Sequence, residues 1–211
     1  MTKTGAYVAY DNRITAERRK VLVIGGGDTG SDCVGTAIRQ GAESVTQIEI
    51  MPKPPEKRAD ENPWPYFAKT LKTSTSHEEG CERRWSLSTL QFIEMQRRVT
   101  HAEVEEISWE KENGSFTTKP VPGTKQEIEA DLILLAMRFV HPIHEGLLKE
   151  LGIRLNLRKN VDVDHQMATN IDKVFASGDA ANGANLVVTA IASGRRVAKR
   201  IDDYLIGVKF E

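Results

Sequence analysis

Val21-Leu22-Val23-Ile24 is an unbroken apolar run in a chain that is polar and aperiodic up to Lys20. A strand with one wet face would alternate, so an unbroken run predicts a strand buried on both faces, the habit of parallel sheets. Gly25-Gly26-Gly27-Asp28-Thr29-Gly30 follows, and then Val34, Ala37 and Ile38 recur at helical spacing as far as Gly41, a residue suited to a helix C-terminus. Val45-Thr46-Gln47-Ile48-Glu49-Ile50 is β-branched enough for a second strand, reached by a right-handed crossover. Strand, glycine turn, helix and strand in that order predict an α/β fold that opens on a βαβ unit.

Pro54, Pro55, Pro63 and Pro65 then interrupt a charged stretch that begins at Pro52, which predicts a surface excursion without regular structure. Residues 99–109 alternate, Asn113-Gly114 supplies a hairpin turn before residues 115–119, and Ile128 leads into an apolar run over 131–136. This predicts a β-meander returning to a buried strand. Beyond Met137 the pattern predicts a short helix over 145–151 ended by Gly152, a short strand over 161–163, and a buried strand over 174–177 that reaches Gly178-Asp179. The last element is a helix in which Leu186, Val187, Ala190, Ile191, Val197, Ile201 and Leu205 fall near one face, and Gly207 stops it. The division expected is a leading linker over 1–20, a Rossmann-like dinucleotide-binding domain over 21–140 and a further portion over 141–211.

Composition narrows the functional classes. Among 211 residues, 29 basic and 30 acidic side chains leave a net charge of −1, which offers no field to draw a nucleic acid or an anionic membrane. An apolar fraction of 39% is enough for a folded core. No apolar run is long enough to cross a bilayer and the first twenty residues lack a signal-peptide core, so a cytoplasmic protein is expected. Cys33 and Cys81 are too far apart for a CxxC redox pair or a zinc spacing, which suits a reducing compartment. Cys33 is expected to be a packing residue, and His141 with His144 an exposed turn; no metal site is expected.

Gly25, Gly27 and Gly30 form G-x-G-x-x-G between the predicted strand and helix, the context in which this fingerprint signals a dinucleotide. Gly25 permits the tight turn, Gly27 lets backbone approach a pyrophosphate, and Gly30 lets helix and strand pack closely. Gly26, Asp28 and Thr29 complete the site, the last two either capping the helix or touching the ligand. The residue that reads the adenosine ribose should come about 20 positions on, at Glu49. A carboxylate there favours NAD, whereas Lys53, Lys57 and Arg58 just downstream could attract a 2′-phosphate or form only a solvated basic loop. NADH and NADPH both remain open.

Several stretches together resemble a known family. The run Gly25-Gly26-Gly27-Asp28-Thr29-Gly30-Ser31-Asp32-Cys33, then Glu49-Ile50-Met51-Pro52-Lys53-Pro54-Pro55, then Asn62-Pro63-Trp64-Pro65 look like the small (β) subunit of glutamate synthase. Val174-Phe175-Ala176-Ser177-Gly178-Asp179 and Leu186-Val187-Val188-Thr189-Ala190-Ile191 are similar to the same family and to the wider pyridine nucleotide–disulfide oxidoreductase fold. The resemblance implies a flavoprotein in which NAD(P)H reduces FAD and electrons pass on to the glutamate synthase large subunit. It implies that Asp179 after Gly178 meets the ribityl chain of FAD, and that the helix opening at Leu186, Val187 and Val188 points its positive end at the flavin ring. No catalytic side chain is implied, because hydride moves directly between cofactors. Departures accompany the likeness: a single glycine fingerprint, no cysteine cluster, Arg138 where the family carries glycine, and Ala181-Asn182 in place of a basic pair. The expectation is therefore the dinucleotide domain plus the C-terminal part of a split FAD domain, binding FAD only if the missing N-terminal half or a complementary FAD-binding chain is supplied.

Overall fold

In a computed structural model the described residues are 14–112, 114–137 and 139–207, and the chain divides into one unit up to Met137 and another from Arg138. The first unit runs β1 (Lys20–Ile24), α1 (Asp28–Arg39), β2 (Ser44–Ile48), α2 (Thr75–Glu78), β3 (Glu82–Arg84), β4 (Leu87–Met95), β5 (Arg98–Glu112), β6 (Ser115–Pro120), β7 (Gln126–Glu129) and β8 (Leu132–Leu135). Four of these strands make a parallel sheet in the order β3-β2-β1-β8, with Val21 opposite Val45 and Leu132.

The unbroken apolar run of β1 is explained by what lies on its two faces. Val21 and Val23 pack with Val34 and Ala37 of α1 and with Val45, whereas Leu22 packs with Ile48, Leu87, Ala102, Val104 and Ile128. The parallel sheet is therefore covered by α1 on one face and by antiparallel strands on the other, so β1 has no wet side to mark with polar residues. Those strands are the expected meander with an addition. β4, β5 and β6 pair antiparallel in succession, and β7 returns to β5, where Ala102 faces Phe92 on one side and Ile128 on the other. Fifteen residues of β5 make room for three partners.

Two strands escaped the sequence reading. β3 is three residues of Glu and Arg at the sheet edge and carries no apolar signature, whereas the apolar residues of β4 do not alternate regularly and only Leu87 among them is buried. The excursion is irregular as expected, with no helix or strand between Ile48 and Thr75. It is braced internally: Arg58 donates to the carbonyls of Asn62 and Tyr66, and Leu71 N–H donates to Pro55 O.

The second unit holds α3 (Leu147–Glu150), α4 (Asp179–Asn182) and α5 (Val187–Leu205). The strands expected over 161–163 and 174–177 are corrected here: they are isolated bridges, Leu155 with Val161 and Ala168 with Phe175, and residues 174–177 are half-buried. A short β-branched run becomes a strand only beside another strand, and the described residues of this unit supply none. Its fully buried apolar side chains among the described residues are Val161 and Ala181. Residues 1–13 of the expected linker, Asn113 of the expected hairpin turn and Arg138 lie outside the described residues.

Candidate dinucleotide site

β1 ends at Ile24 and the chain turns at Gly25, whose φ of +122° lies where an L side chain is strained. A Cβ on Gly25 would also run into the Ala136 carbonyl, and one on Gly30 would run into the Gly25 carbonyl, so helix and turn pack backbone to backbone. Gly27 differs: nothing lies within 4 Å of the place its Cβ would occupy. It is the N-cap of α1, and no side chain caps the helix there. The capping role weighed for Asp28 and Thr29 is thus not seen; both sit in the first turn, and the first-turn N–H groups have no side-chain acceptor. An open approach, uncapped amides and the positive end of a twelve-residue helix coincide at Gly27.

Glu49 stands one residue past β2 and reaches over this turn. Its carboxylate accepts from Gly26 N–H and, at 3.1 Å, from Met51 N–H. Downstream, Lys53 Nζ lies 5.3 Å from the centre of the Trp85 ring, which Arg83 also approaches at 5.1 Å. Arg58 is engaged within its own loop at 3.0 and 2.8 Å, and Lys57 is exposed.

A partly buried polar chain under the turn was not foreseen. Gln47 on β2 is 2% exposed; its Nε2 donates to Gly25 O at 2.9 Å, and its Oε1 lies 2.9 Å from His77 Nε2. His77 Nδ1 accepts from Ser74 N–H at 3.2 Å, His77 N–H donates to Ser74 Oγ, and Ser74 Oγ meets Ser31 Oγ on α1. The pair Ser74 and His77 forms a capping box with histidine in the place usually taken by Glu or Gln, which hid it from motif reading. Burial, with Arg83 beside it, pulls the His77 pKa below its ordinary value. Cys33 and Cys81 both pack partly buried against the α1 core, and burial pushes both thiols up.

In the second unit Gly178 has φ +60° and is the N-cap of α4. Its N–H donates to Ser193 Oγ at 3.1 Å, as does Asn182 Nδ2 at 3.3 Å, with Ser193 fully buried on α5. Asp179 is exposed, beside a cavity of about 250 Å³ whose walls include Phe139, His141 and Ala184. Of the replacements for the family's basic pair, Ala181 is buried and Asn182 braces Gly178. α5 begins at an uncapped Leu186, and Leu186, Val187 and Val188 are 66%, 70% and 64% exposed. His141 and His144 stack with ring centres 4.3 Å apart, each with a nitrogen on a backbone carbonyl. Among the described residues no group of three ligand-type side chains could hold a metal, and no helix is long and apolar enough to cross a membrane.

Comparison with known proteins places this geometry in context. Residues 93–194 match the family described as pyridine nucleotide-disulphide oxidoreductase. The chain is 45% identical over 194 residues to the glutamate synthase (NADPH) small chain of Mycobacterium tuberculosis, spanning 92% of this chain and 39% of that protein. It is 37% identical to the corresponding Bacillus subtilis small chain, over 92% of this chain and 41% of that one. With Saccharomyces cerevisiae glutamate synthase (NADH) it is 34% identical over 97% of this chain and 10% of the relative. The chain thus spans about two fifths of the length of the bacterial small chains it matches. Among solved structures, the thioredoxin reductase of T. acidophilum aligns with TM-score 0.58 at 19% identity, covering 90% of this chain and 54% of that one, a likeness of fold alone. The chain is therefore similar in sequence to glutamate synthase small chains along nearly all of its own length, its residues 93–194 match the pyridine nucleotide-disulphide oxidoreductase family, and its fold resembles that of a thioredoxin reductase.

Proposed function

We propose that this chain is the nicotinamide-dinucleotide-binding part of an NAD(P)H-dependent flavoprotein oxidoreductase of the glutamate synthase small-chain type. The observation that carries this reading is the open, uncapped α1 N-terminus at Gly27, framed by Gly25 and Gly30 where no side chain fits. Gly25, Gly26, Gly27, Asp28, Thr29 and Gly30 receive the pyrophosphate. Glu49 receives the ribose; its carboxylate is already aimed by Gly26 and Met51 N–H groups. Lys53 and Arg58 are the cations that would meet a 2′-phosphate in this reading. FAD supplies two-electron acceptance and onward single-electron release, so the protein's share is positioning and electrostatics, with no acid or base. Gly178, Asp179, Leu186, Val187 and Val188 are its residues toward FAD, the uncapped start of α5 offering positive potential. The partner in this reading is the glutamate synthase large subunit, and the setting is the cytoplasm.

The test is a titration of NADH and NADPH against the chain and its Gly27→Ala variant. Nothing crowds a Cβ at Gly27, so stability should fall by no more than about 1 kcal/mol, the N-cap preference for glycine over alanine, while affinity should fall at least about tenfold because the methyl group occupies the pyrophosphate's approach. Unchanged affinity removes the site. A preference for NADPH that survives both Lys53→Ala and Arg58→Ala would remove these two from the 2′-phosphate role.

A second reading is favoured by the second unit's surface, where Leu186, Val187, Val188, Ile191, Phe139, Val140 and Ile143 are all more than half exposed. A patch of that kind marks an interface, so the chain would bind dinucleotide but carry no flavin until a complementary FAD-binding chain covers it. Purified chain should then show little or no flavin absorbance; tightly retained yellow colour would reject this reading.

A further inference from the structure

The carbonyl of Gly25 and the N–H of Gly26 belong to one rigid peptide plane. Both ends are held from β2, the carbonyl by Gln47 Nε2 at 2.9 Å and the N–H by the Glu49 carboxylate just past the strand. Between two glycines such a plane has little of its own to fix it, so its anchors decide where the following amides point. Gln47 is buried, and because the Gly25 carbonyl can only accept, the amide turns its nitrogen to Gly25 and its oxygen away from it. His77 meets that oxygen and holds the amide in place. Ser74 N–H aims at Nδ1, which must therefore accept, so the proton of the neutral ring sits on Nε2 and faces Gln47 Oε1. Gln47 is left with its nitrogen toward Gly25.

We infer that His77, acting through Gln47, is a positioning residue for dinucleotide binding, holding the Gly25–Gly26 peptide in the orientation the ligand needs. The inference rests on the dinucleotide reading of the glycine turn. It is set for a neutral ring: a proton on Nδ1 would face Ser74 N–H at 3.2 Å and could be received only by Ser74 Oγ at 3.0 Å, which already accepts from His77 N–H, so protonation disturbs the contact that holds the ring. Charged groups on the elements packed around the ring are Asp28, Asp32 and Arg39 on α1, Glu78 on α2, and Glu82, Arg83 and Arg84 on β3; β2 carries none. Arg39 pairs with Glu79, and Arg83 is the one that acts on the ring, opposing its protonation as burial does.

The experiment is NADH binding to the full chain between pH 8 and 5.5, NADH being chosen because it has no 2′-phosphate to titrate. The wild type should bind independently of pH above about 6.5 and then weaken, approaching about tenfold per pH unit once pH is below the lowered His77 value. His77→Ala should bind about five- to tenfold more weakly at pH 7.5. His77→Gln keeps a donor toward Gln47 but does not titrate, so it should restore most of the affinity and give a flat profile. Thermal melts check folding, and if His77→Ala does not fold, the profile of His77→Gln alone decides. If His77→Gln binds with the wild-type pH dependence, the positioning role is overturned while the dinucleotide site stands. If the wild type binds no NADH at any pH, the dinucleotide reading itself falls and this inference with it.

Discussion

Gly27 and Gly30 are three residues apart and do opposite jobs. A methyl group at Gly30 would enter the Gly25 carbonyl, which is backbone and anchored by Gln47, so it has no room to yield. Gly30→Ala should therefore cost about 3 kcal/mol, the upper end of the range for overpacking, read as a fall in melting temperature, whereas Gly27→Ala should cost no more than about 1 kcal/mol and act chiefly on the ligand. A Gly30→Ala variant as stable as the wild type would mean the turn is not packed as described. The cysteines differ from redox thiols in the same local way. Burial holds both Cys33 and Cys81 protonated beyond the ordinary thiol value, and the thiolate is the reactive form. Labelling with a disulfide reagent at pH 7.5 should be much slower in the folded chain than in denaturant; equal rates would contradict the packing.

At the scale of elements, β1 does the most to hold the first unit together, because alternate residues serve different cores. Leu22 is fully buried against Ile48 and the antiparallel strands, while Val21 and Val23 are buried against α1. Leu22→Ala should cost about 2–5 kcal/mol and loosen the face between the two sheets, measured by denaturant unfolding; a cost under about 1 kcal/mol would show that this face is not a packed core. In the second unit, α5 is tied to the Gly178 turn through the Ser193 hydroxyl, which accepts from Gly178 N–H and Asn182. The turn and helix start proposed to face FAD are thus braced by a buried polar contact.

Across the whole molecule the two units are unequally built. The first carries two clusters of fully buried apolar side chains, whereas the second buries Val161 and Ala181 among its described residues and leaves Leu186, Val187, Val188, Ile191 and Leu205 largely exposed. Local opening costs least where few apolar contacts are lost. Amides of β1 should accordingly be the slowest to exchange with deuterium and those of α5 much faster, and equal protection in both would contradict the description. Covering the exposed face with the flavin-binding partner proposed above should slow α5 selectively.

The glycine turn and the βαβ unit around it were legible in the chain because each depends on local steric rules: an unbroken apolar run, a backbone that excludes Cβ, and helical periodicity close at hand. β3 and β4 were not, since β3 is too short and charged to show a pattern and the half-exposed apolar residues of β4 do not alternate regularly, and the run over 174–177 misled because β-propensity says nothing about whether a neighbouring strand exists. The Gln47–His77–Ser74–Ser31 chain was equally hidden; its members are up to 46 positions apart in residues that singly mean little, and only the docking of α2 on α1 brings them together. Sequence alone determined the fold class and the glycine turn proposed to receive a dinucleotide, because those follow from neighbours along the chain. Tertiary structure decided which polar groups hold that turn in place, because hydrogen bonds between distant residues exist only once the sheet and helices have brought them within reach.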